Sequence, residues 1–309
     1  MSYTIGVDIG GTNTDLGIVD EGGRIAARRR FPTNAYTELA PYIATLMQAV
    51  EELMHDVGAT TIEGIGIGAP NGNYYTGHID NAPNLTIKGD LDLAEAIHRY
   101  MDVPVVLSND ANAAAYGEYI YGGARGMKHF ILFTLGTGVG SGVVVDGRLV
   151  HGFTGGAGEL GHNILIPDGR DCSCGRKGCL EAYTSARGIV QTYQELRQEA
   201  GLPPVETSSK EIGELAHQGE TLALRCWERT GRWLGIAMAN AVTFSAPQAL
   251  FLMGGPAQVG EPLMRPLRQS FEEHLLNIYA GQCDIRMSQL PANDVAILGA
   301  AALVKMPRD

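Results

Sequence analysis

The most chemically specific stretch of the chain is Gly161-His162 followed by Cys172-Ser173-Cys174-Gly175-Arg176-Lys177-Gly178-Cys179-Leu180-Glu181. One imidazole and three thiolates, from His162, Cys172, Cys174 and Cys179, make a closed tetrahedral donor set of the kind zinc prefers at a structural site. The interleaved glycines let a short loop fold back around an ion, and such a site contributes ~10–16 kcal/mol of apparent binding energy to ordering its loop. The plain alternative is three reduced cysteines in a surface loop. The two remaining cysteines, Cys226 and Cys283, read as core residues. A second kind of chemistry lies in two glycine-rich turns, Asp8-Ile9-Gly10-Gly11-Thr12-Asn13-Thr14 and Leu135-Gly136-Thr137-Gly138-Val139-Gly140-Ser141-Gly142. Backbone N–H groups in a tight turn converge on an anion when glycine lets the backbone approach. The threonine hydroxyls add donors, and Asp8 can hold a water on Mg²⁺. Neither turn is a Walker-type loop and neither opens a helix, so the P-loop and the dinucleotide fingerprint are both absent. Each alone also reads as an ordinary hairpin turn. Two of them, each between apolar strands, favour phosphate binding. A third glycine pair, Gly254-Gly255, follows a strand and is placed to border a nucleotide base.

Phosphoryl transfer to a sugar needs a carboxylate that takes the hydroxyl proton, together with polar groups that hold the ring. The chain offers Asn81-Ala82-Pro83-Asn84-Leu85, then Ser108-Asn109-Asp110-Ala111-Asn112, then Gly158-Glu159-Leu160-Gly161-His162, and Glu181. Asp110 follows an apolar strand at 103–107, where α/β folds place functional side chains. Asn109-Asp110 reads equally as the N-cap of a helix over 111–119. His55, His78, His98, His129, His151 and His217 have no partner spacing that suggests catalysis.

The elements that must position these groups alternate. Strands are expected at 3–7, 16–20 and 24–30, a helix over 36–57 with Leu39, Ile43, Leu46, Met47, Val50 and Leu53 on one face, a strand at 62–68, a helix at 92–101 and a strand at 103–107. The pattern then restarts with strands at 130–134 and 143–145 and the turn Asp146-Gly147, loosely echoing the opening hairpin and suggesting two related halves. A long helix is expected over 222–244, a strand at 249–253 and a last helix from 295. This alternation implies an α/β fold in two domains. The expected division is a small α/β domain over 1–110, completed by the C-terminal helix 295–309, and a large α/β domain over 111–294 that carries the zinc loop 162–181.

With 309 residues, 45% hydrophobic and 18% charged, the chain has material for two cores. Its net charge of −11 argues against a nucleic-acid partner, although a single nucleotide can still be held by backbone N–H groups. No apolar run is long enough to span a bilayer and the first residues carry no targeting pattern, so no membrane partner and a cytoplasmic location are expected.

Taken together, the motifs resemble the ROK family of bacterial sugar kinases and sugar-responsive repressors, and within it the glucokinase group. The resemblance covers essentially the full length. DIGGTNTDLGIVD is similar to the family's first phosphate motif, TLGTGVGSGVVVDG to its second, and GELGH with CSCGRKGCLE is the most specific part. The resemblance implies an actin-like, ribonuclease-H-like pair of domains around a cleft, with ATP, Mg²⁺ and a structural Zn²⁺ as cofactors. It implies transfer of phosphate to the 6-hydroxyl of a free hexose, glucose first. Fructokinase, allose kinase and N-acetylmannosamine kinase are alternatives within the family. Residue by residue, Asp110 matches the catalytic base. Asn84, Asn109, Glu159, His162 and Glu181 match the sugar-binding set. His162, Cys172, Cys174 and Cys179 match the zinc ligands, with the other nitrogen of His162 turned to the sugar. Asp8, Gly10, Gly11, Thr12, Asn13, Thr14, Gly136, Thr137, Gly138, Gly254 and Gly255 fall in the nucleotide motifs. Two details depart from the pattern: Asn71 is inserted in Gly68-Ala69-Pro70-Asn71-Gly72, and Pro256 stands where a third glycine is usual. A sugar-sensing repressor is the reading from another class. The phosphate hairpin starts within ten residues of Met1 and the net charge is −11, so a DNA-binding domain ahead of it is not expected. Homodimers are common in the family.

Overall fold

The computed structural model describes residues 2–80, 82 and 84–307; Asn81 and Pro83 of the polar run 81–85 lie outside them. Along the chain, β1 (Tyr3–Ile9), β2 (Asn13–Asp20) and β3 (Ile25–Pro32) precede α1 (Leu39–Asp56) and β4 (Ile65–Gly68). A two-residue pair, β5 (His78–Ile79) with β6 (Leu91–Asp92), leads to α2 (Leu93–His98), β7 (Val105–Ser108) and α3 (Asp110–Tyr121). The second cycle is β8 (Phe130–Leu135), β9 (Val139–Val145) and β10 (Arg148–Leu149), then α4 (Glu181–Thr184), α5 (Ala186–Glu199), α6 (Ser209–His217) and α7 (Thr221–Ser245). β11 (Ala249–Met253), α8 (Glu261–His274), β12 (Asp284–Met287) and α9 (Val295–Leu303) complete it.

The two sheets share one plan. Their strand orders are β3-β2-β1-β4-β7 and β10-β9-β8-β11-β12, the same order within each cycle once the separate β5–β6 pair is left out of the count. In the first, β1 pairs antiparallel with β2 and parallel with β4, which pairs parallel with β7. In the second, β11 pairs parallel with both β8 and β12. The sequence echo between the halves is therefore a repeat of topology. One expectation is narrowed: β9 starts at Val139 rather than 143, so the second glycine turn is only Gly136-Thr137-Gly138.

The chain forms two compact units. The first comprises 1–127, 142–158 and 289–309, and the second 128–141 and 159–288. The expected boundary after 110 would part α3 from α9, yet the two helices touch through glycines. A Cβ on Gly117 would lie 2.8 Å from the Gly299 Cα. The same helix α9 sits on the first sheet with no side chain between: a Cβ would lie 2.1 Å from the Ile297 carbonyl oxygen at Gly6 and 1.9 Å from the Ala300 carbonyl oxygen at Gly66. On the opposite face of that sheet, Ile5, Val7, Leu16, Ile18 and Ile67 form the buried core of the first unit with Leu46 of α1.

Candidate active site

In the first unit the in-register strands β1, β4 and β7 bring Asp8, Gly68 and Ser108 side by side at their carboxyl ends. Two residues past Ser108, Asp110 opens α3. Asn109 is the N-cap, its side-chain oxygen accepting from the Asn112 N–H at 2.7 Å. The capping role is thus filled by Asn109, and Asp110 is left at the first helical position with its carboxylate accepting from its neighbour, the Ala111 N–H, at 2.8 Å. Gly68 lies beside both: a Cβ there would make ordinary contacts, 3.4 Å to the Ala113 Cβ, 3.8 Å to the Asp110 Cα and 4.0 Å to the Asp8 Oδ1. Burial, and then the charges of Asp110 and Asp15, push the Asp8 carboxyl up to about 6. Asp110 remains solvent-accessible, but protein crowds it, and that desolvation raises its pKa against the lowering effect of the Ala111 N–H.

The first glycine turn closes on a bond from the Gly10 N–H to the Asn13 carbonyl at 2.9 Å. Gly11 lies against the Asn84 backbone, where a Cβ would come within 2.6 Å of its carbonyl oxygen, so the turn and the exposed Asn84 are neighbours. Thr14 differs from its expected part: it is fully buried, and its hydroxyl bonds inward to Thr33 at 2.8 Å and to Tyr42 of α1 at 2.9 Å. The inserted Asn71 takes a left-handed conformation, φ 55°, and donates to the Asp80 carbonyl at 3.0 Å, so the extra residue is absorbed in a turn.

In the second unit, the second glycine turn is bonded to Glu181. The Val139 N–H donates to the Glu181 Oε2 at 3.0 Å, and a Cβ on Gly138 would lie 2.4 Å from that oxygen. Ser173, which the motif reading passed over, donates to the Glu181 Oε1 at 2.8 Å. Gly161 packs under β9, 1.9 Å from a would-be Cβ to the Val139 carbonyl oxygen, and so sets His162 beside the same strand. Gly254 likewise sits on the Leu135 carbonyl, 1.9 Å from its would-be Cβ, with φ 102°, while Gly255 has open space beside it.

The four expected metal ligands converge. His162 Nδ1 and the sulfurs of Cys172, Cys174 and Cys179 lie within 4.8 Å of one another. Cys174 and Cys179 are 3.6 Å apart, as are Cys172 and His162 Nδ1. That spacing is far beyond a disulfide bond and near the ~3.8 Å edge of a tetrahedral thiolate zinc site. The donor set therefore fits zinc, which Nδ1 would bind while Nε2 stays on the other side of the ring. The Arg176 backbone N–H and guanidinium lower the Cys174 thiol to about 6, which favours thiolate. The loop is anchored by Arg170, missed in the sequence. It donates to the Ala182 and Gly188 carbonyls at 3.0 and 3.1 Å and lies 4.7 Å from the Tyr183 ring centroid.

A glucokinase of Streptomyces coelicolor is 34% identical, with 99% of both chains covered. One of Halalkalibacterium halodurans is 33% identical over 98% of this chain and 95% of that protein. The ROK family glucokinase from Streptomyces griseus, solved in complex with glucose and AMPPNP, superposes with a TM-score of 0.78 at 31% identity, covering 98% of this chain and 99% of that one. Such neighbours have the two-domain actin-like ATPase fold, which the repeated sheet order matches. The sequence profile of the ROK family matches residues 4–306, and the chain belongs to that family.

Proposed function

We propose that this protein transfers the γ-phosphoryl group of ATP to the 6-hydroxyl of a free hexose, with glucose as the preferred acceptor. The observation that carries the reading is Asp110, held at the first turn of α3 by the Asn109 cap and close enough to Asp8 for its charge to raise the Asp8 carboxyl. Asp110 takes the 6-hydroxyl proton as the sugar oxygen bonds to phosphorus and the bridging P–O bond to ADP breaks. A buried carboxylate whose pKa is raised by burial and by the charge of a neighbouring carboxylate suits a cation, so Asp8 would hold Mg²⁺, whose charge would offset that of the phosphates. The turns at 10–14 and 136–138 supply backbone N–H groups for phosphate, and Asn84, Asn109, Glu159, His162 and Glu181 hold sugar hydroxyls. The glucokinase relatives and the glucose and AMPPNP complex support this assignment.

The test is ADP release over a panel of hexoses and N-acetylhexosamines, with Asp110→Asn alongside. Glucose should give the highest kcat/KM, and the variant should lose about 10²–10⁴-fold in kcat while still binding glucose. Near-normal turnover in the variant defeats the role of Asp110, and a preference for another sugar defeats the choice of glucose. We assign zinc to His162, Cys172, Cys174 and Cys179 as a closed structural site. Metal analysis of protein purified without chelator should find about one zinc per chain, and Cys174→Ser should lower it. A value near zero in the parent protein would reject the assignment.

A further inference from the structure

The first unit contains a pocket that none of these roles uses. It has ≈ 90 Å³ of internal space and is lined by Tyr74, Tyr75, Tyr116, Arg148, His151 and Met306, among others. Tyr116 lies six residues beyond Asp110 on α3, ~9 Å along the helix axis, which sets the pocket apart from the proposed base. His151 is 7% exposed. Its ring stacks on Tyr74 with centroids 4.0 Å apart and planes within 1°, and Tyr75 meets it edge-on at 6.1 Å. Neither His151 ring nitrogen has a hydrogen-bond partner among the described residues. Two orphaned polar atoms on one buried ring are out of place in a folded interior and point to something that fills the space beside them.

The chemistry of the occupant follows from the walls. Burial lowers the His151 pKa to about 4, so the ring is neutral and offers one N–H donor and one bare nitrogen. A neutral ring among tyrosines gives an ion little reason to leave water. A hydroxyl both donates and accepts, so it satisfies either nitrogen in either tautomer. The aromatic walls suit a C–H face. A ring carrying several hydroxyls meets both demands. We propose that this pocket is an auxiliary site for a hexose, with a hydroxyl on His151 and the ring face against Tyr75. Exposed Arg148 makes a hexose phosphate the competing source of the same hydroxyl-bearing ring. The pocket also bears on the chain leading to Glu159. The Tyr75 hydroxyl donates to the Gly152 carbonyl at 2.8 Å and the Asn73 amide to the Thr154 carbonyl at 3.1 Å, so an occupant steadies the run 150–158.

The site is argued from its own walls, so an inactive chain that still binds hexose at His151 leaves it standing. Equilibrium dialysis of the full chain should find two glucose equivalents, and NMR of ¹⁵N-histidine-labelled protein should show the His151 ring signals moving with the second. His151→Phe keeps the stack and removes both nitrogens. It should abolish the second equivalent and leave the glucose KM within about twofold, since one lost hydrogen-bonding group acts where it is bound. Should that variant not fold, Tyr75→Leu should weaken the second equivalent by at least about tenfold, the scale of one good contact. If glucose 6-phosphate displaces glucose there and Arg148→Ala removes its advantage, the phosphorylated hexose is the occupant. One equivalent per chain with His151 signals unmoved by either sugar, the nitrogens then being met by water alone, overturns the proposal. So does loss of both equivalents together in the folded His151→Phe protein.

Discussion

Asp8 near the end of β1 and Asp110 just past β7 flank the end of β4, near enough for the Asp110 charge to raise the Asp8 carboxyl. The arrangement carries a stability cost that can be measured. The folded Asp8 carboxyl titrates at about 6, against roughly 3.9 in an unfolded chain. Between those values the folded protein holds a proton that the unfolded chain has released, so stability falls as pH rises through about 4 to 6. Above that window the ionised Asp8 costs up to about 3 kcal/mol, discounted by whatever solvent reaches it. Asp8→Asn should therefore raise unfolding stability by about 1–3 kcal/mol at about pH 8 and flatten the profile from about pH 4 to 6, while turnover collapses. Urea melts across pH check this, and an unchanged profile would remove the strain. At this scale the convergence of His162, Cys172, Cys174 and Cys179 was legible, since four donors at such spacing have few other uses. The inward bonds of the Thr14 hydroxyl were not legible, because its partners, Thr33 and Tyr42, come from segments whose approach only the fold decides. The contact of Gly138 with Glu181 was hidden for the same reason: it depends on the absence of a side chain facing a carboxylate distant in the sequence.

Among the elements, α9 is the one whose seat is most sharply defined. It lies on β1 and β4 through Gly6 and Gly66, and on α3 through Gly117. The clashing atoms are backbone carbonyls of a helix buried from Ile297 through Leu303, and these cannot swing aside. Gly66→Ala should cost at least about 1–3 kcal/mol by overpacking, seen as a lowered midpoint in denaturant, and a neutral result would show that α9 shifts freely. Long periodic helices were readable: α1 and α7 fall within a few residues of their expected bounds. α8 was not, because Pro262 in its first turn and Pro266 inside it interrupt the pattern that identifies a helix. α6 announces itself through the Ser208–Glu211 capping box, a signal visible in the sequence that the apolar periodicity search did not use. β9 was expected to start late because Val139-Gly140-Ser141-Gly142 looks like turn, whereas β-pairing carries it as strand.

At the scale of the molecule, the repeated sheet order was half legible. Two echoing hairpins suggested related halves, but parallel placement of β4, β7, β11 and β12 comes from long-range pairing that no local pattern encodes. The division into units was harder still, because the chain passes from one unit to the other after 127, 141, 158 and 288. An even number of passages returns the chain to where it began. Residues 2 and 307 both belong to the first unit, and the second is hung from it like a loop on a closed clasp. A pull applied to the two ends is borne by the first unit alone until β1 or α9 tears away. In a single-molecule stretching experiment the first rupture should release the first unit, and an initial extension matching the second would contradict this. Mechanical load thus spares the half that carries the His162, Cys172, Cys174 and Cys179 cluster, and the clasp is only as strong as the glycine-lined seat of its final helix.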